Sequence, residues 1–305
     1  LKAHRATAAA IALFGAALAV AGCGFGAGPS VGEVELRATR DFGSEHVTGV
    51  VMDDVAESDT VMRVLDRNVE IATRYGGGFV QSIDGVSGAT QGGQRYDWFF
   101  YVNGVESSVG AADYSLRGNE AIWWDYRDWS AAARVPAVVG SWPQPFVGGY
   151  DGEEHPVSVE CLGGGAACAL VRERLEAVGV SPATGSADDA IEVLVGPWAR
   201  VRSAPAAAQV EAGPQVSGVF GDFRRHGGRF GLVGLDQAGE EARRFGPDAG
   251  LVAATRRYDG PPVWMITGSD ASGVRAAAGL LDSAELRDHY AVAVEGGETT
   301  PLPVR

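Results

Sequence analysis

A chain of 305 residues with 39 acidic and 25 basic side chains carries a formal charge of -14, and 46% of its residues are apolar. This length allows two domains, and the apolar share excludes disorder as the general state. The acidic balance excludes phosphate-driven nucleic-acid binding, and because Lys2 is the only lysine, Schiff-base and phosphate-loop lysine chemistry are excluded beyond residue 22.

The first element is a basic start (Lys2, Arg5), an apolar run over residues 8–20, and small residues up to Val20-Ala21-Gly22-Cys23. This order reads as a secretory signal peptide over residues 1–22. The apolar run is shorter than the ~20 residues that a membrane-spanning helix needs. A Cys directly after Ala-Gly resembles the bacterial lipobox. The resemblance implies cleavage before Cys23, acylation of its thiol (a palmitate-type modification), and a lipid-anchored protein on the extracytoplasmic face of the cell membrane. Residues 23–32 are small and flexible in composition, as in a tether. Gly28-Pro29-Ser30-Val31-Gly32 matches the hydrolase nucleophile elbow, but no preceding strand or following helix is expected around it.

Residues 33–130 read as an α+β domain. Val34, Leu36 and Ala38 alternate with Glu35, Arg37 and Thr39, which predicts a half-buried strand. Residues 47–55 predict a second strand. Ser58 or Asp59 is expected to cap a short helix burying Val61, Val64 and Leu65. Strands at 96–102 and 105–109 flank Asn103-Gly104, the pair that a type I′ hairpin prefers. Residues 121–126 form the last strand. Two strands, a helix and more strands predict a compact sheet of β-grasp type carrying one helix.

Arg40-Asp41-Phe42-Gly43, Arg74-Tyr75-Gly76-Gly77-Gly78-Phe79-Val80, Trp98-Phe99-Phe100-Tyr101-Val102-Asn103-Gly104 and Trp123-Trp124-Asp125-Tyr126 together look like an uncharacterised domain of bacterial surface lipoproteins. That domain is related to the C-terminal domain of the vitamin B12 carrier transcobalamin. The resemblance covers residues 33–129 and implies a β-grasp fold. In the vitamin carriers the corrinoid lies between this domain and a helical barrel, and no such barrel is legible here.

Residues 131–155, rich in Pro, Gly, Ala and aromatics, read as a linker that partly packs. Residues 156–305 then alternate strand with helix, which predicts an α/β domain of no recognised family. Strands are expected at 157–161, 191–195, 251–255 and 290–294, and helices at 167–178 and 198–210. Residues 230–236 and 263–270 are each followed by Gly and an expected helix. Asp236 and Asp270, and Gly239 and Gly273, stand at the same spacing. This reads as a weak duplication of a strand-turn-helix-strand unit.

The other two cysteines, Cys161 and Cys168, enclose three glycines, and in an oxidising compartment they are expected to form a disulfide. The candidate ligand-binding set is Tyr75, Gly77, Phe79, Trp98, Tyr101, Trp123, Trp124 and Tyr126, with Trp129 nearby. Strand alternation sends Trp123 and Trp124 to opposite faces. One tryptophan is then either an exposed binding surface or covered by the helix or the second domain. The glycine run 76–78 either admits a flat ligand or forms an irregular turn. Asp236 and Asp270 read as helix N-caps, against paired catalytic or metal carboxylates. Arg224, Arg225, His226 and Arg229 around Gly227-Gly228 read as a polar hairpin tip, against an anion site. His46, His155, His226 and His289 lie far apart, with no metal-ligand spacing.

The expectation is an extracytoplasmic lipoprotein that binds or recognises a ligand, not an enzyme. It needs no cofactor and its ligand is planar or corrinoid-like. Its partners are the membrane, through the anchor, and a small molecule or an envelope protein, with no nucleic acid. The alternative is a structural or protein-interaction component of the envelope without a small ligand.

Overall fold

The computed structural model describes residues 28–91, 93–163, 165–185 and 189–305. The expected signal segment, Cys23 and the expected tether up to residue 27 lie outside the described residues. β1 (Ser30–Arg40) pairs antiparallel with β2 (Glu45–Ala56), so the last three residues of the expected tether are already strand. Val34, Leu36 and Ala38 are buried as the alternation predicts, but Arg37 and Thr39 are buried as well. Both faces of β1 are covered in its second half, because the rest of the chain packs on the face expected to meet solvent.

α1 (Val61–Asn68) is capped by Thr60, whose hydroxyl accepts from Arg63 N at 3.3 Å. The expected caps have other roles: the Asp59 carboxylate accepts from Ala56 N and binds Arg67. The predicted helix face, Val61, Val64 and Leu65, is buried. β3 (Ile71–Arg74), β4 (Phe79–Ile83) and β5 (Val86–Ser87) form a small antiparallel sheet. β6 (Ala89–Gln91), β7 (Gln94–Val102), β8 (Val105–Glu106) and β9 (Glu120–Asp128) follow. Asn103 and Gly104, with φ of 53° and 76°, make the β7–β8 turn as the sequence predicts. A Cβ on Gly104 would also meet Val138 O at 2.9 Å. The main sheet runs β2-β1-β9-β7-β6, with β1 and β9 parallel and β8 paired to β7. α1 shares a hydrophobic cluster with Leu36, Trp98 and Trp124 of this sheet. This is the expected β-grasp layout.

Residues 131–155, expected to pack in part, contribute to the core. Val135, Val138, Val139, Trp142, Phe146 and Tyr150 are buried. Val138 N donates to Gly104 O at 2.8 Å and Val139 N to Tyr290 O at 3.2 Å, so the segment is tied to both halves.

The second half continues with β10 (Val157–Cys161), α2 (Gly165–Ala177), β11 (Ala183–Thr184) and β12 (Ile191–Pro197). α3 (Trp198–Val201) and α4 (Pro205–Glu211) replace the single helix expected over 198–210, and α5 (Pro214–Ser217) follows. Pro205 breaks the expected helix, since proline cannot donate within a helix and suits a first turn. β13 (Gly221–His226), β14 (Arg229–Leu235) and β15 (Glu241–Arg244) form an antiparallel meander. β16 (Gly250–Arg256), β17 (Pro262–Gly268), α6 (Ala271–Gly279), α7 (Ser283–Leu286), β18 (Ala291–Glu295) and β19 (Glu298–Leu302) complete the chain. The large sheet runs β11-β10-β12-β17-β16-β18-β19. Its first four strands are parallel and the remainder antiparallel.

The expected duplication does not appear in the fold. Asp270 caps α6, accepting from Ser272 N and Gly273 N. Asp236 accepts from Ala238 N and Glu240 N in a tight turn with Gly239 at φ 80°, and the chain leaves that turn as β15, not as a helix.

One face of the large sheet packs with α2 and α6 through Val159, Val171, Leu175, Val193, Val274 and Ala277. A separate cluster joins Leu194, Ala253, Met265, Trp198 and Phe223 with Tyr290, and with Phe42, Tyr101 and Trp123 of the first half. The two halves therefore share one core.

Candidate functional site

β7 and β9 distribute the aromatic residues between two faces. Register pairs Tyr101 with Trp123 and Phe99 with Asp125 on one face, and Phe100 with Trp124 and Trp98 with Tyr126 on the other. The first face is the seam between the halves. Tyr101 and Trp123 are 0% exposed, and their rings lie 5.8 and 5.4 Å from that of Tyr290. Neither can meet a ligand, because the second half covers them. This corrects their assignment to the ligand-binding set.

The seam is also polar at its centre. Trp123 Nε1 donates to Thr39 Oγ1 at 2.7 Å, and Thr39 Oγ1 donates to Asp125 Oδ1 at 2.6 Å. Gly43 N donates to the same oxygen at 3.1 Å. Tyr290 Oη donates to Asp125 Oδ2 at 3.0 Å, with Tyr101 Oη 3.3 Å behind it. Burial pushes the Asp125 carboxyl up to about 6, while these donors and Arg127 pull against it. Arg127, fully buried, donates to Ala132 O at 2.7 Å and lies 3.8 Å over the Phe99 ring.

The opposite face lies under α1. Trp98 is buried and its Nε1 donates to Val86 O at 2.9 Å. Trp124 is 3% exposed and stacks on Phe100 at 4.9 Å. Tyr126 stacks on Tyr96 at 5.7 Å and donates to Ser87 O at 2.7 Å. Neither Trp123 nor Trp124 is exposed, so of the two readings the covered one holds: the second half lies over Trp123 and α1 over Trp124.

At its edge this second face opens into a cavity of about 240 Å³, lined by Met62, Phe79, Trp98, Phe100, Glu106 and Trp124 among others. Trp124 Nε1 is buried without a hydrogen-bond partner among the described residues. Glu106 is paired with Arg134 at 2.9 Å, and burial raises its carboxyl against that pairing. Above the cavity is the β3–β4 hairpin. Tyr75 is 87% and Phe79 37% exposed, with ring centroids 6.2 Å apart. Tyr75, Gly76 and Gly77 have φ of 54°, 74° and 95°. The φ of 95° at Gly77 is a turn conformation that glycine adopts freely, and nothing lies within 4 Å of a Cβ placed there, so its outer side is open.

The structure therefore brings Phe79, Trp98 and Trp124 to one cavity, with Tyr75 joined to it through Phe79 and Tyr126 packed beside Trp98 at 5.4 Å. Phe100, Met62 and Glu106 were not singled out in the sequence. Phe100 was legible there, two residues from Trp98 on the same strand.

Cys161 and Cys168 are disulfide-bonded, with Cα atoms 5.9 Å apart. Arg224, Arg225, His226 and Arg229 flank the β13–β14 turn at Gly227-Gly228. Asp236 and Asp270 are each spent on backbone amides. His155 stacks on Tyr150 at 3.9 Å, and burial lowers the His289 imidazole. Among the described residues no group of three or more His, Cys, Asp or Glu could hold a metal ion. No described helix is long and apolar enough to cross a membrane.

A domain family of unknown function, DUF4430, matches residues 58–128, inside the stretch that carries the candidate cavity. No curated protein matches the chain. A crystal structure of a Ruminococcus gnavus protein, to which metal binding is only provisionally ascribed, aligns with 32% of this chain and 97% of its own. The identity is 14% and the TM-score 0.25, a likeness too slight to carry fold or ligand to this protein.

Proposed function

We propose that the protein is a non-catalytic recognition module, tethered through Cys23 to the outer face of the membrane. Its contact surface is the β3–β4 hairpin together with the aromatic cavity beneath it. The observation that carries this reading is the joint arrangement of exposed and buried aromatics. Tyr75 projects at the tip in a left-handed backbone conformation beside glycines that adopt it freely. A non-glycine residue there costs about 1–2 kcal/mol and gains nothing from core packing. Phe79 bridges from that tip to Trp98, Phe100 and Trp124, and Trp124 Nε1 is a spare donor.

The size of the cavity sets the class of ligand. Ligand sites for drug-sized molecules run from about 300 Å³ upward. At about 240 Å³ this one suits a single planar ring bearing a hydrogen-bond acceptor, or one such side chain of a partner protein. A corrin ring exceeds it.

The test is a thermal-shift and fluorescence titration of the chain with indole, indole-3-carbaldehyde and cobalamin. A ligand that binds only the folded state raises the melting temperature. The carbaldehyde, with its acceptor, is expected to bind best and cobalamin not at all, and Phe79→Ala to abolish the shift. Absence of a shift with both indoles, or a shift unchanged by Phe79→Ala, would overturn the small-ring reading and leave the envelope-scaffold alternative.

A further inference from the structure

A second cavity lies on the β13–β14–β15 meander, in the other half of the chain. It measures about 400 Å³, within the range of ordinary ligand sites. Register puts Arg224 opposite Gly231, His226 opposite Arg229, and Val233 opposite Arg244, so these side chains share one face. Phe245 and Pro247 also line the cavity.

Gly231 shapes its floor. A Cβ on Gly231 would meet nothing within 4 Å, whereas one on Gly234, on the packed face, would meet Val304 at 2.6 Å. Gly234 is therefore glycine because the core demands it. Gly231 has no such packing reason, and its missing side chain leaves an open, flat stretch of backbone.

The rim is basic in a chain of net charge -14. Arg224 and Arg244 both bind the Glu241 carboxylate, and Arg224 also binds Asp222 at 3.0 Å. Their acids are thus already engaged. Arg229 has no ion-pair partner among the described residues and lines the same cavity. Charged side chains alone would serve to protect the open edge of β15 from pairing. Edge protection does not call for an apolar hollow with a glycine floor inside the basic rim.

We propose that this cavity binds a small amphipathic anion. Its aromatic or short alkyl body lies on the Gly231–Val233 floor, and its carboxylate, sulfonate or phosphate group is held by Arg229, whose charge no described carboxylate offsets. The site is independent of the aromatic cavity and of the reading given to it. A single-ligand hollow in an acidic protein also distinguishes it from a nucleic-acid track.

The probe is 8-anilinonaphthalene-1-sulfonate, titrated by fluorescence against the full chain. N-phenyl-1-naphthylamine, the same ring system without the sulfonate, is the control. The expected result is saturable one-to-one binding of the sulfonate that weakens with salt, with at least tenfold weaker binding of the neutral analogue. Gly231→Val fills the floor with a residue suited to a strand, and should weaken the sulfonate at least tenfold with no change in melting temperature. Arg229→Gln, at an exposed position, should weaken it severalfold and flatten its salt dependence. Absence of saturable binding, equal affinity for the neutral analogue, or affinity unchanged by both substitutions would overturn the proposal.

Discussion

Asp125 and Tyr290 stand 165 residues apart and meet at 3.0 Å inside the seam between the two halves. The phenol donates to a carboxylate that already accepts from Thr39 and Gly43, so residues from β1, the β1–β2 turn and β9 are tied to the residue that precedes β18. Arg37 adds a second tie at the rim of the seam, binding Asp288 at 2.7 Å and Gly140 O at 2.7 Å. These links, with the shared apolar cluster, make the halves one packed body. Tyr290→Phe keeps the ring contacts and removes one donor from a buried carboxylate. The expected loss is about 1–3 kcal/mol, read from urea unfolding. Unfolding is also expected as one transition followed alike by tryptophan fluorescence and circular dichroism. A loss near zero, or two separated transitions, would contradict a seam held by this pair.

The same carboxylate makes stability depend on pH. Burial raises Asp125 to about 6 in the folded protein from an ordinary value of 3.8. The folded state therefore holds this proton more tightly than the unfolded state. The contribution is most favourable below pH 4 and is lost as pH rises through about 6, a total of about 3 kcal/mol. Glu106 and Glu120 are also raised by burial and add slopes of the same sign. Comparison with Asp125→Asn isolates the one group. The stability of the wild type relative to the variant should fall by about 3 kcal/mol between pH 4 and pH 7. A difference that stays constant with pH would show that Asp125 titrates normally.

Trp124 and Tyr75 separate structure from recognition. Trp124 is covered by α1 and stacked on Phe100, so Trp124→Ala opens a cavity and should cost about 3–5 kcal/mol. Tyr75 is exposed and held at φ 54°. Tyr75→Gly should leave stability unchanged or raise it by about 1 kcal/mol, while weakening binding of an indole probe. Unfolding free energies of the two variants check both. A costly Tyr75→Gly would mean that the tip is structural.

How much of this was legible in the sequence depended on the range of the contacts involved. The Asn103-Gly104 turn, the Val61/Val64/Leu65 face and the Val157–Cys161 strand follow from local rules, and the structure contains them. The fate of Arg37, Tyr101 and Trp123 did not follow, because what buries them arrives more than a hundred residues later, as Gly140 or Tyr290. Period-two alternation names the two faces of a strand but not what covers each of them. The extent to which residues 131–155 pack was hidden for a related reason. Their Pro and Gly content signals irregular backbone, and irregular backbone can still be buried when its amides find partners such as Gly104 O and Tyr290 O. The supposed repeat failed because equal spacing of Asp and Gly describes both an N-cap and a hairpin turn.

The proposed lipid anchor lies outside the described residues, and its test is chemical. Cys23 follows Val20-Ala21-Gly22. In a bacterial host, Cys23→Ser should leave the signal uncleaved or release the protein from membranes. Membrane fractionation and mass spectrometry of the mature N-terminus read this out. An unmodified Cys23 in correctly exported protein would contradict the lipid tether.

The disulfide gives the last test, of both stability and compartment. Cys161 ends β10, and Cys168 is buried on α2 within the cluster that contains Val171 and Leu175. Their Cα separation of 5.9 Å lies within the usual disulfide range. The bond closes a short loop, so the entropy it removes from the unfolded chain corresponds to about 2–3 kcal/mol. Reductant should lower unfolding stability by that amount in the wild type and leave Cys161→Ala/Cys168→Ala unaffected. Alanine is the replacement of choice at 168, since serine would bury a hydroxyl without a partner and add a cost unrelated to the crosslink. A reductant effect below about 0.5 kcal/mol would show that the crosslink contributes little. Two free thiols in protein taken from its native envelope would remove the oxidising compartment from which the pairing was first read.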